Sequence, residues 1–459
     1  MTNKRIYMLG IKGVGMTSLA LVYHRMGNQI IGSDVEKSFI TDVVLEKYGI
    51  SVYQGFDASH IAKDFDLVVA SGAHMNEKNI EFTTFQQQNI PVITHAEALG
   101  KVMDSFPIRI SVCGSHGKTT TSAMLATIFS ESQMKGAHQI GVPTFSGIDG
   151  GAYNGPDYFI AEADEYANNP HIDNTPRFNY QHPTILLCTN VDFDHPDVYP
   201  SLSDVQDAFK KFMATTIEQG GKIVYCADDH SLSSVVEGLQ YDQLFSYGLS
   251  KSADLVISSV VDNEESTSFN ATFRGEDLGK FIFHISGQHN ILNAAGALLV
   301  CVLAELDTAI VRNGLAQFTG SARRFELIFQ KNTTYLFDDY AHHPSEIEAV
   351  LEAAKHKFPQ NRIVLIFQPH TFSRTQAFEK EFAIALEKAD KAYCLEVFSS
   401  EREDKAEVET NIGKLYTKDD MLKELIQDDL KNTTIITMGA GDVYKLHPEI
   451  KEIINKQDL

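Results

Sequence analysis

The sequence lacks any run of about 18 uncharged apolar residues, the length at which a helix can cross a membrane. Its beginning enters an apolar run and a glycine loop at once, without the separate hydrophobic segment and small-residue cleavage site of a secretory signal peptide. We therefore expect a cytoplasmic protein that does not have a membrane as a partner.

Cysteine is sparse, and no two cysteines form a C-x-x-C pair. Scattered thiols without that spacing give no sign of a zinc site or a redox motif. Most lie in strand-like apolar runs, so we expect buried free thiols, which suit a reducing cytosol. The five cysteines are Cys113, Cys188, Cys226, Cys301 and Cys394.

Positive charge is also scarce. The chain has 39 lysine and arginine residues against 61 aspartate and glutamate residues, a formal net charge of -22. Such a surface repels the phosphate backbone of nucleic acids, so we do not expect nucleic-acid binding. A small anionic substrate would have to be held by local hydrogen-bond donors and metal ions.

The 459 residues are enough for about three domains at roughly 100–200 residues each. Three stretches repeat one pattern, in which a β-branched run is followed by a glycine or polar turn and a helical period. Alternating strands and helices predict an α/β fold with parallel sheets. We place the three domains at residues 1–106, 107–319 and 320–459. The charge run Glu401–Glu409 is predicted to be a solvated loop or helix face.

The first glycine-rich segment, G-I-K-G-V-G at Gly10–Gly15, follows the predicted strand Arg5–Leu9 and opens a helix. Backbone N–H groups in that context can bind a pyrophosphate, and Asp34 after the next strand can accept a ribose hydroxyl. The G-x-x-G-x-G spacing favours a diphosphate nucleotide other than a nicotinamide cofactor, and a purely structural turn is the alternative. The candidate substrate-binding residues are Gly13, Val14, Gly15, Met16, Asp34 and Ser71.

The segment V-C-G-S-H-G-K-T-T-T-S resembles a phosphate-binding loop that lacks its first glycine. Gly114 and Gly117 let the backbone curl so that successive N–H groups face a phosphate. Lys118 supplies a mobile positive charge, and the hydroxyl of Thr119 or Thr120 can bind Mg²⁺. The preceding strand and the threonine run argue against an ordinary surface turn.

Two acidic segments end strands of the same domain: E-A-D-E-Y at Glu162–Tyr166 and N-V-D-F-D-H-P-D at Asn190–Asp197. Ligands of α/β sheets bind at the carboxyl ends of the strands, so both segments can face the phosphate loop. Carboxylate oxygens suit Mg²⁺, and the imidazole of His195 can bind a second ion. Either segment alone could equally be a polar loop.

The third domain carries G-S-A-R-R-F-E at Gly320–Glu326, D-D-Y-A-H-H-P at Asp338–Pro344 and F-Q-P-H-T-F-S-R-T at Phe367–Thr375. The last two segments follow predicted strands. Arg324 or Arg374 can neutralise a phosphoryl group in transfer or bind a carboxylate. Solvated strand ends are the alternative for any single one of these residues.

Taken together and in this order, the motifs resemble those of the Mur ligase family, over essentially the whole chain. The shortened phosphate loop is that family's own version, which makes it an intact ATP site. The matching segments are Gly10–Met16, Gly114–Thr121, Glu162–Glu165, Asn190–His195, Gly287–Asn293, Arg323–Glu326, Asp338–Pro344, Phe367–Thr375 and Gly439–Val443.

The resemblance implies a Rossmann-like first domain for the UDP of a sugar substrate and a central P-loop ATPase-like domain. It also implies a Rossmann-like third domain that brings the amino acid and closes over the site. The implied cofactors are ATP and Mg²⁺. In the implied reaction the lactyl carboxylate of UDP-N-acetylmuramate attacks the γ-phosphate of ATP, and an amine then attacks the acyl phosphate to form an amide.

We expect L-alanine as the amine, because the third-domain motifs follow the style of alanine-adding members. Tyr166, the downstream Arg177 and Thr371 leave a recycled tripeptide, L-Ala-γ-D-Glu-meso-diaminopimelate, as the alternative acceptor. An inactive relative that only binds UDP-sugars is a second alternative, although Lys118 and the implied metal ligands are present. We expect a monomer or a dimer.

The resemblance also implies roles for individual residues. Lys118 contacts the β- and γ-phosphates; Thr119 and Glu162 bind the first Mg²⁺ and His195 the second. The implied catalytic residues are Lys118, His343, His370 and Arg374, of which the last three lie near the incoming amino acid and the reacting carboxylate. The implied ATP-binding residues are Gly114, Ser115, Gly117, Lys118, Thr119, Thr120, His289, Asn290, Asn293, Arg324 and Asp339.

Overall fold

The computed structural model describes residues 3–61, 64–169, 172–239, 241–263, 266–398 and 412–457. The charge run Glu401–Glu409 lies outside these described residues. Within them the backbone forms three main sheets, in residues 5–94, 108–283 and 326–438, each packed with helices. The predicted three-domain α/β architecture is confirmed, whereas the domain boundaries at 106/107 and 319/320 stay predictions.

The N-terminal sheet contains β1 Arg5–Leu9, β2 Gln29–Asp34, β3 Ser51–Gln54, β4 Leu67–Ala70 and β5 Val92–Thr94. Its order is β3-β2-β1-β4-β5, and every pairing is parallel. The central strand β1 and its neighbour β4 are largely buried, as strands covered by helices on both faces must be. The helices are α1 Val14–Arg25, α2 Asp42–Lys47, α3 Ile80–Gln87 and α4 His95–Met103.

The central unit contributes twelve strands, of which β10 and β11 form a separate hairpin. The strands are β6 Ile108–Cys113, β7 Ala137–Phe145, β8 Ile148–Tyr153, β9 Tyr158–Glu162, β10 Ala167–Asn169, β11 Asp173–Pro176, β12 Ile185–Cys188, β13 Lys222–Cys226, β14 Leu244–Gly248, β15 Leu255–Asp262, β16 Thr267–Phe273 and β17 Glu276–Phe283. The helices are α5 Lys118–Ser130, α6 Leu202–Glu218, α7 His230–Glu237, α8 Gln288–Leu303 and α9 Thr308–Gln317.

The ten strands of the central sheet have the order β17-β16-β15-β14-β13-β12-β6-β9-β7-β8. The expectation of purely parallel sheets is wrong here, because β8, β16 and β17 pair antiparallel with their neighbours. Two of these pairings are closed by two-residue turns, Ser146–Gly147 and Arg274–Gly275, in which both residues have positive φ. Such turns match the twist of paired strands and form hairpins instead of crossovers.

The C-terminal sheet contains β18 Glu326–Lys331, β19 Thr334–Asp339, β20 Arg362–Phe367, β21 Lys391–Leu395, β22 Leu415–Tyr416 and β23 Thr433–Met438. Its order is β18-β19-β23-β20-β21-β22; among the strands that the structure describes, β18 and β19 pair antiparallel and the other neighbours pair parallel. The helices are α10 Pro344–Lys357, α11 Phe372–Ala377, α12 Glu379–Leu386, α13 Lys418–Gln427 and α14 His447–Lys456.

The N-terminal and central units share one apolar core. Leu19 of α1 packs with Ala137, Phe159 and Ala161 of the central sheet in a single buried cluster. The approach is close, since a Cβ on Gly151 of β8 would lie 1.9 Å from a backbone oxygen of α1. A continuous core fixes the two units together, which holds the N-terminal glycine loop at a set position relative to the phosphate loop.

Two further expectations are tested by the fold. All five cysteines are buried and free of disulfide bonds, as predicted. Among the helices that the structure describes, none combines the length and the apolar character that crossing a bilayer requires.

Candidate active site

The phosphate loop lies at the carboxyl edge of the central sheet, where β6 ends between β9 and β12. Gly114 has φ +139 and Gly117 has φ +81, a region that side chains disfavour. A Cβ on Gly114 would lie 2.0 Å from Thr189 Oγ1, and one on Gly117 would lie 2.7 Å from Asn293 Oδ1. Helix α5 begins directly at Lys118, so its free N–H groups point into the loop.

Lys118 is held inside this loop by four short contacts. Its ammonium donates to the backbone oxygens of Gly114 at 2.6 Å and Ser115 at 3.2 Å. It also donates to the Glu165 carboxylate at 2.8 and 3.0 Å. Burial favours the neutral amine, but the carboxylates of Glu165, Asp164 and Glu162 outweigh it and raise the pKa of Lys118. Lys118 is therefore a fixed positive charge at neutral pH.

Thr119 and Glu162 form a pair of oxygen ligands next to this lysine. The Thr119 hydroxyl donates to Glu162 Oε2 at 3.0 Å. Burial raises the pKa of Glu162, and the nearby Lys118 and Arg324 only partly offset that effect. A buried carboxylate and a hydroxyl at this separation fit Mg²⁺, which prefers hard oxygen ligands and would stabilise the ionised carboxylate.

His195 lies on the loop that follows β12, with a positive φ of 57. Asp164, Glu165 and His195 each offer one possible metal-ligand atom, and these three atoms all lie within 4.8 Å of one another. His195 Nε2 lies 3.4 Å from Glu165 Oε1, and the Tyr166 ring packs against the imidazole at 4.7 Å. Burial lowers the pKa of His195, but Asp194 and Glu165 raise it by more, so the net pKa lies above its ordinary value. A metal ion bound here would compete with a proton for the imidazole.

The third unit reaches the same edge of the sheet through Arg374. Its Nη2 and Nε lie 2.8 and 2.9 Å from Asp194 Oδ1, and both side chains are 7% exposed. Arg374 Nη2 is also 3.3 Å from His195 Nδ1. The structure thus places Arg374 against the acidic segment that follows β12, where it holds the third unit over the phosphate loop.

The two predicted histidines of the third unit have different surroundings. His343 Nε2 lies 3.1 Å from the backbone oxygen of Phe193, at the boundary with the central unit. Burial and the charge of His116 lower the pKa of His343. The His370 ring stacks on Phe398, with centroids 5.7 Å apart. His343 therefore touches the central unit directly.

A cavity of about 820 Å³ extends from the phosphate loop into the gap between the central and third units. At one side of it, Asp339 accepts hydrogen bonds from the N–H groups of Phe325 and Ala341 at 2.7 Å, and burial raises its pKa to about 6. The cavity has room for a nucleotide. The predicted ATP residues that line it are Gly117, Thr120, His289, Asn290, Asn293, Arg324 and Asp339.

The N-terminal glycine loop is closed by Asp34. Its carboxylate accepts hydrogen bonds from Lys12 N at 2.7 Å and Val35 N at 2.8 Å, so part of its role is structural. Ser71 lies beside the loop, where its Cβ is 3.0 Å from the position of a Cβ on Gly10. Gly13 immediately precedes α1 and leaves the helix N-terminus open. A second cavity of about 590 Å³ adjoins Lys12.

Three functional candidates were not singled out by the motif analysis: His116 and Asp192, which lie inside quoted motifs, and Glu346, which the analysis did not consider. His116 Nε2 lies 3.1 Å from Asp192 Oδ2, and its Nδ1 lies 3.2 Å from Glu346 Oε1 of the third unit. Burial favours the neutral ring, yet these two carboxylates raise the pKa of His116 to about 10. Through the contacts of His116 with Asp192 and Glu346, this group is an ion-pair contact between the central and third units, and ligand atoms of His116, Asp192 and His343 also lie within 4.8 Å of one another. Only the tertiary fold brings Glu346 to the phosphate loop.

Comparison with known proteins follows the same division of the chain. The profile described as "Mur ligase family, catalytic domain" matches residues 5–107. The "Mur ligase middle domain" matches residues 112–301, and the "Mur ligase, glutamate ligase domain" matches residues 323–441. The three matches together take in most of the chain.

Two curated relatives carry the name UDP-N-acetylmuramate–L-alanine ligase. The protein of Lactobacillus delbrueckii subsp. bulgaricus is 34% identical over 466 aligned positions, with 99% of each chain covered. That of Desulfitobacterium hafniense is 36% identical over 456 positions, with 96% of this chain and 98% of the relative covered.

Two solved structures are similar over almost the full length. The UDP-N-acetylmuramate–alanine ligase of Thermotoga maritima superimposes with a TM-score of 0.80 at 26% identity, covering 99% of this chain and all of the other. A murein peptide ligase of Psychrobacter arcticus gives 0.75 at 23% identity with both chains fully covered, a likeness of fold. With three profiles in order and full-length relatives above 30% identity, the chain belongs to the Mur ligase family.

Proposed function

We propose that this protein is an ATP-dependent ligase that joins L-alanine to the lactyl carboxylate of UDP-N-acetylmuramate, releasing ADP and phosphate, in peptidoglycan precursor synthesis. The full-length relatives with that name support the choice of substrates. The observation that carries the proposal is the convergence of Lys118, Glu162, His195 and Arg374 at one edge of the central sheet. Two different units supply these residues.

The phosphate loop and Lys118 are proposed to bind the β- and γ-phosphates of ATP. A carboxylate is a poor nucleophile towards an anionic phosphate, so fixed positive charge must screen the approach. Lys118 is held by Glu165 at 2.8 Å, and phosphate oxygens would take the place of that carboxylate. The released Glu165 would then be free to face His195, which lies 3.4 Å away.

Thr119 and Glu162 are proposed to hold one Mg²⁺. His195 and Glu165 are proposed to hold a second. Such ions would lower the negative charge of the phosphates and bring the two anionic reactants together. The residues themselves supply the geometry: Glu162 ends β9, Thr119 lies in the first turn of α5, and His195 follows β12. All three face the same edge of the sheet.

The third unit is proposed to bring the amino acid and to exclude water. An acyl phosphate formed at Lys118 hydrolyses if water reaches it, so closure protects the intermediate. The Arg374–Asp194 pair and the His343 contact with Phe193 hold the unit over the site. Arg374 and His370 are proposed to lie near the incoming amino acid. The three domains are proposed to be residues 1–106, 107–319 and 320–459.

The experiment is a donor-dependence assay with purified protein, ATP and Mg²⁺. ADP release should require both UDP-N-acetylmuramate and L-alanine, and mass spectrometry should show the donor plus one alanyl residue. Replacing the donor by UDP-N-acetylglucosamine, which lacks the lactyl group, is the control. ADP release without the amide product would contradict the proposed ligation, and no ADP release at all would contradict it and favour an inactive UDP-sugar-binding relative.

A further inference from the structure

Arg177 lies outside the ATP site, at the start of the short 3-10 helix Arg177–Tyr180 that follows β11. Its Nη1 donates to Asp164 Oδ2 at 2.8 Å, and its guanidinium lies 5.4 Å from the centroid of the Tyr166 ring. The side chain is 24% exposed. One edge of the guanidinium is thus fixed, and the group is accessible.

The position of Arg177 connects the two proposed binding loops. On one side, His95 Nε2 lies 3.1 Å from the backbone oxygen of Gly15 in the N-terminal glycine loop. The 3-10 helix that begins at Arg177 packs directly against α4, which begins at His95: a Cβ on Gly100 of α4 would lie 1.9 Å from the backbone oxygen of Tyr180. On the other side, its partner Asp164 precedes Glu165, which binds Lys118. Arg177 therefore stands between the glycine loop and the phosphate loop.

A donor with its diphosphate at the glycine loop and its carboxylate near Lys118 would lie alongside the acidic segment whose Asp164 holds Arg177. A guanidinium presents five N–H groups in a planar fork that matches a carboxylate. Among the described residues, the guanidinium of Arg177 donates a hydrogen bond through Nη1 alone, and its Nε and Nη2 have no protein acceptor. The bond to Asp164 would keep the plane of the group fixed while its other edge binds a ligand.

We propose that Arg177 is a specificity residue for the acyl donor, and that it binds the lactyl carboxylate which distinguishes a muramoyl from a glucosaminyl nucleotide. The assignment rests on the proposed function. Arg177 would orient the carboxylate towards the phosphate loop and favour donors that carry it, because only they form the charge-assisted hydrogen bond.

The test is calorimetric binding of two ligands, UDP-N-acetylmuramate and UDP-N-acetylglucosamine, to the full-length protein without ATP. Arg177→Gln is expected to weaken UDP-N-acetylmuramate binding by roughly 10- to 100-fold, the loss that a charge-assisted hydrogen bond represents. Binding of UDP-N-acetylglucosamine should change by less than about 2-fold, since it makes no such bond. Arg177→Lys keeps the charge but not the planar pair of N–H groups, so its affinity for UDP-N-acetylmuramate should lie between those of the wild type and Arg177→Gln.

Arg274→Gln is the matched control, because Arg274 is an exposed arginine paired with Asp254 on the central sheet. It should leave the binding of both ligands unchanged. Equal losses for the two ligands in Arg177→Gln, or unchanged UDP-N-acetylmuramate binding in both Arg177 variants, would overturn the assignment. If the wild-type protein itself does not prefer UDP-N-acetylmuramate, the proposed donor fails instead, so the two failures are distinguishable.

Discussion

The ammonium of Lys118 and the carboxylate of Glu165 form an ion pair at 2.8 Å, with side-chain exposures of 16% and 2%. This pair ties the phosphate loop to the acidic segment that ends β9. A phosphate ligand has to replace Glu165 at the lysine, which frees the carboxylate next to His195. The same contact therefore connects nucleotide binding to the proposed second metal site.

Lys118→Ala is expected to fold and to lose ligation. Lys118 contributes charge at a helix start, and removing it should cost at least about 3 kcal/mol of transition-state stabilisation, or roughly 100-fold in rate. Steady-state kinetics and far-UV circular dichroism of the purified variant measure both parts. Lys423→Ala, an exposed lysine on α13, is the control. Ligation near the wild-type rate in Lys118→Ala would refute the assignment.

Glu162→Gln and His195→Gln are each expected to raise the Mg²⁺ concentration needed for half-maximal activity by roughly 10-fold or more. Each variant removes one ligand and leaves the others in place. Mg²⁺ binding by calorimetry in the presence of a non-hydrolysable ATP analogue gives a readout independent of turnover. Glu276→Gln, at an exposed position of β17, should behave as wild type. An unchanged Mg²⁺ dependence in both variants would exclude them as ligands.

Arg374→Gln and Asp194→Asn are expected to be coupled in a double-mutant cycle on kcat/KM. The pair is buried and joins two units, so each single variant leaves an uncompensated charge and loosens closure. We expect a coupling energy of about 1–3 kcal/mol. The half-exposed pair Arg362–Asp428 within the third unit should give about 0–1 kcal/mol in the same cycle. Additive effects at Arg374 and Asp194 would contradict a closing role.

His116 is expected to make stability depend on pH. Its pKa is raised to about 10 in the folded protein from about 6.5 in an unfolded chain, so the folded state binds the extra proton. The stabilisation is complete below about pH 6.5 and is lost as the pH rises through about 10. The difference in melting temperature between wild type and His116→Gln should therefore shrink over that range.

The exposed His182, paired with Asp104, provides the control for this measurement. His182→Gln should lower the melting temperature little at any pH, because an exposed ion pair contributes little. A difference between wild type and His116→Gln that stays constant from neutral to alkaline pH would show that His116 is not held as an imidazolium.

The strands with continuous apolar runs are the part of the fold that the sequence predicts well. The strand Arg5–Leu9 has the predicted bounds, because it is buried on both faces and is apolar from Ile6 onward. The antiparallel strands β15 to β17 were missed. Their outer faces are exposed, so polar residues interrupt the pattern, and their hairpin turn Arg274–Gly275 is a weak signal.

The candidate site likewise has a part that sequence motifs predict and a part that only the tertiary fold shows. Lys118, Thr119 and Glu162 lie in short motifs at strand ends, and the structure brings them together as such motifs predict. The contact of His116 with Glu346 could not be predicted, because it depends on how the third unit docks onto the central one. No local pattern encodes the orientation of two packed units.

The most direct test of the central claim is an acceptor competition with the wild-type protein, ATP, Mg²⁺ and UDP-N-acetylmuramate. L-Alanine, L-serine, glycine and L-Ala-γ-D-Glu-meso-diaminopimelate are offered, and kcat/KM is determined for each from product masses. We predict that L-alanine has the highest kcat/KM. A tripeptide with the highest kcat/KM would contradict the account and make the protein a peptide-recycling ligase.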